Sequence, residues 1–259
     1  MFSFCPLASG SKGNAIFVGT ESTRVLIDAG LSFSSLVQRL SEIGVEASSL
    51  QAVLITHEHV DHIQGLKTLC KRLQIPVFAN VGTAQGIYDV LGIKPRFKIF
   101  TTGESFSFGD LEIRPFGVPH DTRDPVAFTI CSHKMKFGFC ADLGHVTSLV
   151  KKELEGCDYL YLEANHKVSM VHSSHRPDVY KRRVLGKQGH LSNEECAELL
   201  MHIKHPGLKH VHLAHLSGEC NTPEVAMEVV RGVLEDSIEV SIAYQDRISK
   251  PIQIESFSF

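Results

Sequence analysis

No apolar run in this sequence approaches the roughly 18–20 residues that a membrane-spanning helix needs, so a helical membrane anchor is not expected. The first ten residues, MFSFCPLASG, place no basic segment ahead of an apolar one, and the expectation is a chain without a signal peptide. Positive charge is in short supply as well. Lys and Arg number 26 against 29 Asp and Glu, the formal net charge is −3 and the pI is near 6.6. That balance excludes a protein that coats nucleic acid through phosphate contacts alone, so any polyanion site must be a local patch or be made positive by metal. Linkers, repeats and low-complexity tracts are missing too, which favours one compact domain over residues 1–259 with a buried core. There is no C-x-x-C pair. The seven cysteines (Cys5, Cys70, Cys131, Cys140, Cys157, Cys196 and Cys220) are odd in number and scattered, which fits buried thiols in a reducing cytoplasm better than disulfides or cysteine-bound zinc.

What the chain has in excess is histidine, fifteen in all, and they are clustered. The frame around them can be read from periodicity. β-Branched runs at 15–19, 23–30 and 52–56 predict strands, and 158–165 and 210–217 predict two more. Residues 34–44, 63–73 and 83–92 carry helical apolar spacing. Residues 191–203 open on an S-x-x-E capping box (Ser192, Glu195), and 222–234 on a Thr-Pro start. The stretch from 76 to 144 is otherwise a series of short strand-like runs. Strands with a few helices, then strand–helix alternation, repeated in two halves, predict an α/β (α+β) chain built as a four-layer αββα sandwich.

The string LITHEHVDHIQG at 54–65 follows an apolar strand and packs His57, His59, Asp61 and His62 into six residues. Imidazole and carboxylate suit Zn, Mn or Fe. His57 and His59 can converge from a tight turn, while Asp61 and His62, opening a helix, aim elsewhere. One open catalytic ion takes about three protein ligands, so four donors here argue for two ions.

THEHVDH is similar to the signature of the metallo-β-lactamase superfamily. The resemblance implies that fold, and it implies further ligands at His120 in VPHD, Asp142 in CADLG and His215 in LAHLS. On that reading His57, His59 and His120 hold one divalent ion, Asp61, His62 and His215 hold the other, and Asp142 bridges them. Asp28 in LIDAG would support a ligand histidine from behind. The residues themselves leave alternatives: His120 as an ordinary loop histidine, Asp28 and Asp142 as turn formers. His215 competes with His210 and His212, and strict alternation puts His215 alone on the face of Val211 and Leu213.

GHLSNEEC at 189–196 resembles the helix-opening motif of the phosphodiesterase branch. His190 lies just before a capped helix start, where backbone N–H groups favour an anion and a histidine can protonate a leaving oxygen. YKRRVLGK supplies Lys181, Arg182, Arg183 and Lys187 upstream, either as a solvated face or as a phosphate-binding patch. The 22 positions between His120 and Asp142 (142 − 120) leave no room for a long tRNA-gripping arm. The 73 between Asp142 and His215 (215 − 142) are too few for the cap domain of larger nucleases in the superfamily. Taken together, LASGSKGNA, LIDAGLS, THEHVDHIQG, VPHDTRDPVAF, LEANH, GHLSN and LAHLS resemble the YycJ/WalJ-type metallo-hydrolases. That resemblance implies a cytoplasmic 5′-to-3′ DNA exonuclease with two divalent ions, Asp61 and His190 as its acid–base groups and no membrane partner. One departure and one open role stand out. ADLG at 141–144 lacks the hydroxyls that usually flank the bridging Asp, and His166 in LEANH is expected only to lend a hydrogen bond near the ligands. Competing functions are hydrolysis of small or cyclic nucleotide-like diesters, hydrolysis of thioesters or lactones, and a metal-bearing scaffold without activity.

Overall fold

A computed structural model describes residues 2–254. Its contacts divide the chain into two compact units: residues up to Glu112 with Thr122–Asp124 and those from Ala243 onward, and Ile113–Asp121 with Pro125–Ile242. In the first unit, β1 (Phe2–Ala8), β2 (Ala15–Thr20), β3 (Arg24–Ile27) and α1 (Phe33–Glu42) are followed by β4 (Ala52–Leu54), α2 (Val60–Ile63) and α3 (Leu66–Leu73). Then come β5 (Val77–Ala79), α4 (Val81–Leu91) and β6 (Phe97–Ile99). The chain continues through β7 (Phe106–Phe108), β8 (Leu111–Gly117), β9 (Val126–Ser132), β10 (Met135–Cys140) and α5 (Ser148–Leu154). It ends with β11 (Tyr159–Glu163), α6 (Val168–Ser173), α7 (Asp178–Val184), α8 (Asn193–Ile203), β12 (His210–Ala214), α9 (Pro223–Arg231), β13 (Glu239–Ile242) and β14 (Ile252–Ile254).

Two seven-stranded sheets result, ordered β14-β1-β2-β3-β4-β5-β6 and β13-β12-β11-β10-β9-β8-β7. In the first, register aligns Phe17, Leu26, Val53 and Val77 in one cross-strand row. Leu36 and Leu40 of α1, Leu66 and Leu69 of α3 and Ile87 of α4 join that row in a single buried cluster, so three amphipathic helices cover this face. In the second sheet β10 to β13 are parallel. β11 and β12 are buried at every position, as strands covered on both faces must be; β11 reads as an apolar run closed by Glu163, while β12 carries His210 and His212 among its apolar residues.

The strands at 15–20, 24–27 and 210–214 and the helices at 33–42, 81–91 and 223–231 lie where periodicity puts them. The Ser192–Glu195 capping box is formed in both directions. The expected helix 63–73 is instead two, α2 beginning at Val60 and α3 at Leu66, because Gly65 passes so close to Leu31 that no side chain fits there. Periodicity did not single out β1, β14, α5, α6 or α7; the three helices among them are only six or seven residues long, too short for a spacing pattern to repeat. All seven cysteines are free thiols, and burial pushes those of Cys5 and Cys157 up to about 12, which makes them inert packing groups. No helix among the described residues is long and apolar enough to cross a membrane.

The loops at the C-terminal ends of β3 and β4 interlock with the loop at 9–14. Asn14 N–H donates to Asp61 O (2.8 Å), Gly30 N–H to Asn14 O (2.8 Å), Ala29 N–H to His62 O (2.7 Å) and Gly65 N–H to Ala29 O (2.8 Å). This crossing needs glycine at 30, where a Cβ would overlap both the Asp61 carbonyl oxygen and the Asn14 nitrogen. Gly30→Ala should therefore cost about 3 kcal/mol or more, at the upper end for overpacking, since the atoms it meets are backbone. A urea midpoint equal to that of the unsubstituted chain would show that the crossing does not exist.

Candidate functional site

In the first unit, the HxHxDH string begins just past the end of β4, and its donors are held from beneath by Asp28. That carboxylate is fully buried and sits at φ +61°, outside the ordinary range for a non-glycine residue. Asp28 Oδ1 accepts the Thr56 backbone N–H (2.9 Å), the Thr56 hydroxyl lies 3.0–3.1 Å from both carboxylate oxygens, and His62 Nδ1 is 2.8 Å from Oδ2. Burial pushes the Asp28 carboxyl up from its usual range, opposed by the His62 charge and these donors.

The network fixes the imidazole tautomers. His62 Nδ1–H donates to Asp28, which leaves His62 Nε2 an acceptor, and Asn14 Nδ2 donates to that atom at 3.0 Å. With the Thr56 proton directed at Asp28, His57 Nδ1–H donates to Thr56 Oγ1 (2.9 Å) and His57 Nε2 is likewise an acceptor, 3.1 Å from His59 Nδ1. The rings of His57 and His62 lie 4.0 Å apart, and those of His57 and His59 cross edge-on at 4.8 Å. Asp61, 23% exposed, keeps Oδ2 3.6 Å from His62 Nε2 and receives a bond from Asn14 Nδ2 (3.2 Å). Imidazole nitrogens and a carboxylate are thus brought together, and Asn14 and Thr56 hold them. Neither residue was singled out from the sequence. The Gly-Asn turn at 13–14 was visible, but not which loop it would meet.

In the second unit, Asp142 follows β10, Glu163 ends β11, His215 follows β12 and His190 precedes α8. One ligating atom from each of these four lies within 4.8 Å of those of the others. Asp142 and His215 both have φ +54°. His215 therefore leaves the alternation that should place it with Val211 and Leu213; a left-handed backbone after the strand aims it, and Asn165 Nδ2 clamps its carbonyl at 2.7 Å. Strict alternation singled out His215, but the backbone does not follow that alternation past the strand. His210 and His212 stack on each other at 4.4 Å instead, with His210 Nε2 on Ser241 Oγ (2.7 Å).

Glu163, fully buried, is the residue that sequence reasoning missed. Oε2 accepts the backbone N–H of Leu143 (2.7 Å) and of Leu191 (3.2 Å), while Oε1 meets Nδ1 of His190 (2.8 Å) and of His215 (3.1 Å). Burial works against this carboxylate, but the His190 charge beside it and the hydrogen bonds of His190 and His215 pull it down to about 2. An acidic residue closing the apolar run DYLYLE was the available signal, since a charge at the end of a buried strand requires partners. At the ADLG departure Leu143 is buried and serves Glu163 through its backbone amide.

His120 Nδ1–H donates to Gly189 O (2.9 Å), its Nε2 is 3.9 Å from Asp142 Oδ1, and its ring is 5.2 Å from that of His190. His166 departs from expectation. Its backbone pairs with Ser192 and accepts the Asn193 N–H, tying down the start of α8, but Nδ1 is buried without a hydrogen-bond partner, and burial lowers the ring's pKa. The basic run lies on α7 and the turn after it. Lys181 Nζ donates to His172 O (2.7 Å) and Arg183 Nε to Asp121 Oδ2 (2.7 Å), whereas Arg182 and Lys187 line an open cleft. The donors of both clusters are imidazole nitrogens and carboxylate oxygens, a set that fits divalent Zn, Mn or Fe.

Three comparisons bear on this geometry. A family model described as a beta-lactamase superfamily domain matches residues 23–215. Exodeoxyribonuclease YycJ of Bacillus anthracis is 35% identical over 235 residues, 90% of this chain and 89% of that protein. Exodeoxyribonuclease WalJ of Streptococcus pneumoniae is 34% identical over 249 residues, 94% of this chain and 93% of its own length. Among solved structures, the metallo-β-lactamase fold protein YhfI of Bacillus subtilis superposes with a TM-score of 0.73 at 16% identity, covering 96% of this chain and 99% of that one; at this identity the likeness speaks for the fold alone. The chain belongs to the metallo-β-lactamase superfamily, as a metal-dependent hydrolase of the YycJ/WalJ type.

Proposed function

We propose that the chain is a two-metal exodeoxyribonuclease of the cytoplasm, cleaving DNA phosphodiesters with the 5′-to-3′ polarity implied by its resemblance to the YycJ/WalJ type. The observation that carries this reading is the Asp142–Glu163–His190–His215 group: a carboxylate and a histidine suited to a metal ion beside a partly exposed histidine (side chain 20% exposed) that is backed by a buried carboxylate. The exodeoxyribonuclease names of two relatives matched along nine-tenths of the chain support DNA as the substrate. Seven free thiols are in keeping with a reducing compartment.

On this reading His57, His59 and His120 would hold one ion, Asp61, His62 and His215 the other, and Asp142 both. Divalent ions so bound polarise a phosphoryl oxygen and make water more acidic. Asp61, exposed enough to meet solvent, accepts the proton of the attacking water. His190 gives a proton to the departing oxygen from Nε2, and Glu163 stabilises the imidazolium from the Nδ1 side, as a buried carboxylate does for a histidine in hydrolytic triads. Asp28 and Gly189 O hold His62 and His120 by their Nδ1 atoms, which leaves Nε2 of each ring as the atom that would meet a metal.

Elemental analysis with end-labelled substrates tests this. Metal-loaded protein should shorten DNA and lose that activity to a chelator; cleavage of neither single- nor double-stranded DNA would move the reading to small diesters. His59→Ala should lose both turnover and metal. His190→Ala should lose about 10²–10⁴ in rate with its metal content intact; loss of both together would make His190 a ligand. Asp28→Asn should weaken metal binding about 10–100-fold in a chelator competition, and unchanged affinity would remove Asp28 from its supporting role.

A further inference from the structure

Beside His120 and His190 in the chain, the second unit contains an open cleft of about 570 Å³. It is lined by Pro119, Asp121, His145, Arg182, Arg183 and the turn at 186–188. We propose that this cleft binds a phosphate of the DNA strand other than the one being cleaved, and that Asp121 occupies Arg183 until that phosphate displaces it. The inference rests on the nucleic-acid reading above and deepens it.

The lining defines the ligand. Three cations, Arg182, Arg183 and Lys187, accompany one acidic residue, Asp121, and the one ring in the lining, His145, is held by its Nδ1 on the Lys187 carbonyl. Such a surface recognises the charge of a backbone rather than the identity of a base. Of the four basic residues in the run, Lys181 is spent on the His172 carbonyl and does not line the cleft. Arg182 and Lys187 are exposed, and among the described residues neither side chain has a partner.

The floor is rigid and leads back to the candidate catalytic residues. Gly189 N–H bonds Gly186 O (2.8 Å) and His190 N–H bonds Val184 O (3.1 Å), and Gly189 lies so close to the Arg183 and Val184 carbonyls that no side chain fits. The same Gly189 presents its carbonyl to His120 Nδ1. His145 Nδ1 donates to the Lys187 carbonyl (2.9 Å), and Gly144 packs directly on it, fixing the turn to the loop that carries Asp142. A phosphate in the cleft is therefore held on the backbone that sets His120 and His190.

Asp121 is the resident anion. Oδ2 takes Arg183 Nε at 2.7 Å while Oδ1 lies 3.5 Å from His120 Nε2, so one carboxylate is shared between a strand-binding cation and a candidate ligand. The Arg183–Asp121 pair is 59% and 30% exposed, and ion pairs this open to water contribute little. A phosphate offers Arg183 stronger charge-assisted bonds and leaves Asp121 near His120.

The test uses metal-loaded full-length chain and a 3′-labelled single strand with phosphorothioate linkages, which keep their charge and resist cleavage. Binding is followed by fluorescence anisotropy from 25 to 200 mM salt, a range chosen on the order of the Debye regime where phosphate contacts dominate. Asp121→Asn should tighten binding about three- to tenfold, by removing the anion that competes for Arg183. Arg182→Gln with Lys187→Gln should weaken it about tenfold and flatten the log–log salt slope by about 1.4, two contacts at roughly 0.7 each for a single strand. An Asp121→Asn variant that binds no tighter, or an unchanged slope in the double variant, overturns the cleft assignment while leaving the nuclease reading intact. If the unsubstituted chain fails to bind the strand even at the lowest salt, the nuclease reading falls and the cleft assignment with it.

Discussion

Two carboxylates with no exposure to solvent, Asp28 and Glu163, set the terms for everything around them. A buried charge is costly unless it is surrounded by donors, and each of these is. Asp28 collects an amide, a hydroxyl and the Nδ1 of His62. Glu163 collects two amides and the Nδ1 atoms of His190 and His215. The device is the same in both units: an anion at the end of a parallel strand turns imidazoles so that Nδ1 faces inward and Nε2 faces out. Removing either carboxylate would leave histidines with an undefined tautomer as well as amides without acceptors, which is why both are buried in spite of the cost.

Aiming these groups requires backbone strain. Among the described residues five non-glycine positions have positive φ, and three of them are Asp28, Asp142 and His215. The other two, Gln74 and His133, lie at a helix C-cap and in a hairpin turn, where that conformation is routine. For the first three no turn geometry requires it. Each follows a parallel strand, and a continued β conformation would carry the side chain to the other face of the sheet. The strain persists because the strands behind are fully buried and the loops are cross-bonded, as at Gly30, so the scaffold leaves the residue no alternative.

The same physics explains what the sequence disclosed. The fold was legible because parallel buried strands read as apolar runs and long helices as 3.6-residue spacing; the short helices α5 to α7 were not, since six or seven residues hold too few turns. The HxHxDH string was legible because its donors are contiguous in the chain. Glu163, Asn14 and Thr56 were not. Each acts through a partner many positions away: His190 is 27 residues from Glu163, Asp28 is 28 from Thr56 and Asp61 is 47 from Asn14. His215 was selected over its neighbours by alternation, a rule that stops at Ala214, where the strand does. His166 looked like a member of the group because of its place in LEANH, but a carbonyl rather than a ring is what that position contributes.

Charge is distributed in a way that net composition conceals. A chain of formal charge −3 should repel a polyanion at long range. The compensation is local: α7 and the turn after it gather Arg182, Arg183 and Lys187 next to the histidines, with a single acidic neighbour. A protein built this way has little affinity for nucleic acid in general, because few phosphates can be neutralised at once. What the proposed cleft would grip is a short stretch of strand backbone. For the exonuclease proposed above, weak general binding combined with such a local contact would favour release after each cut, whereas a strongly basic surface would hold the duplex along its length and delay release.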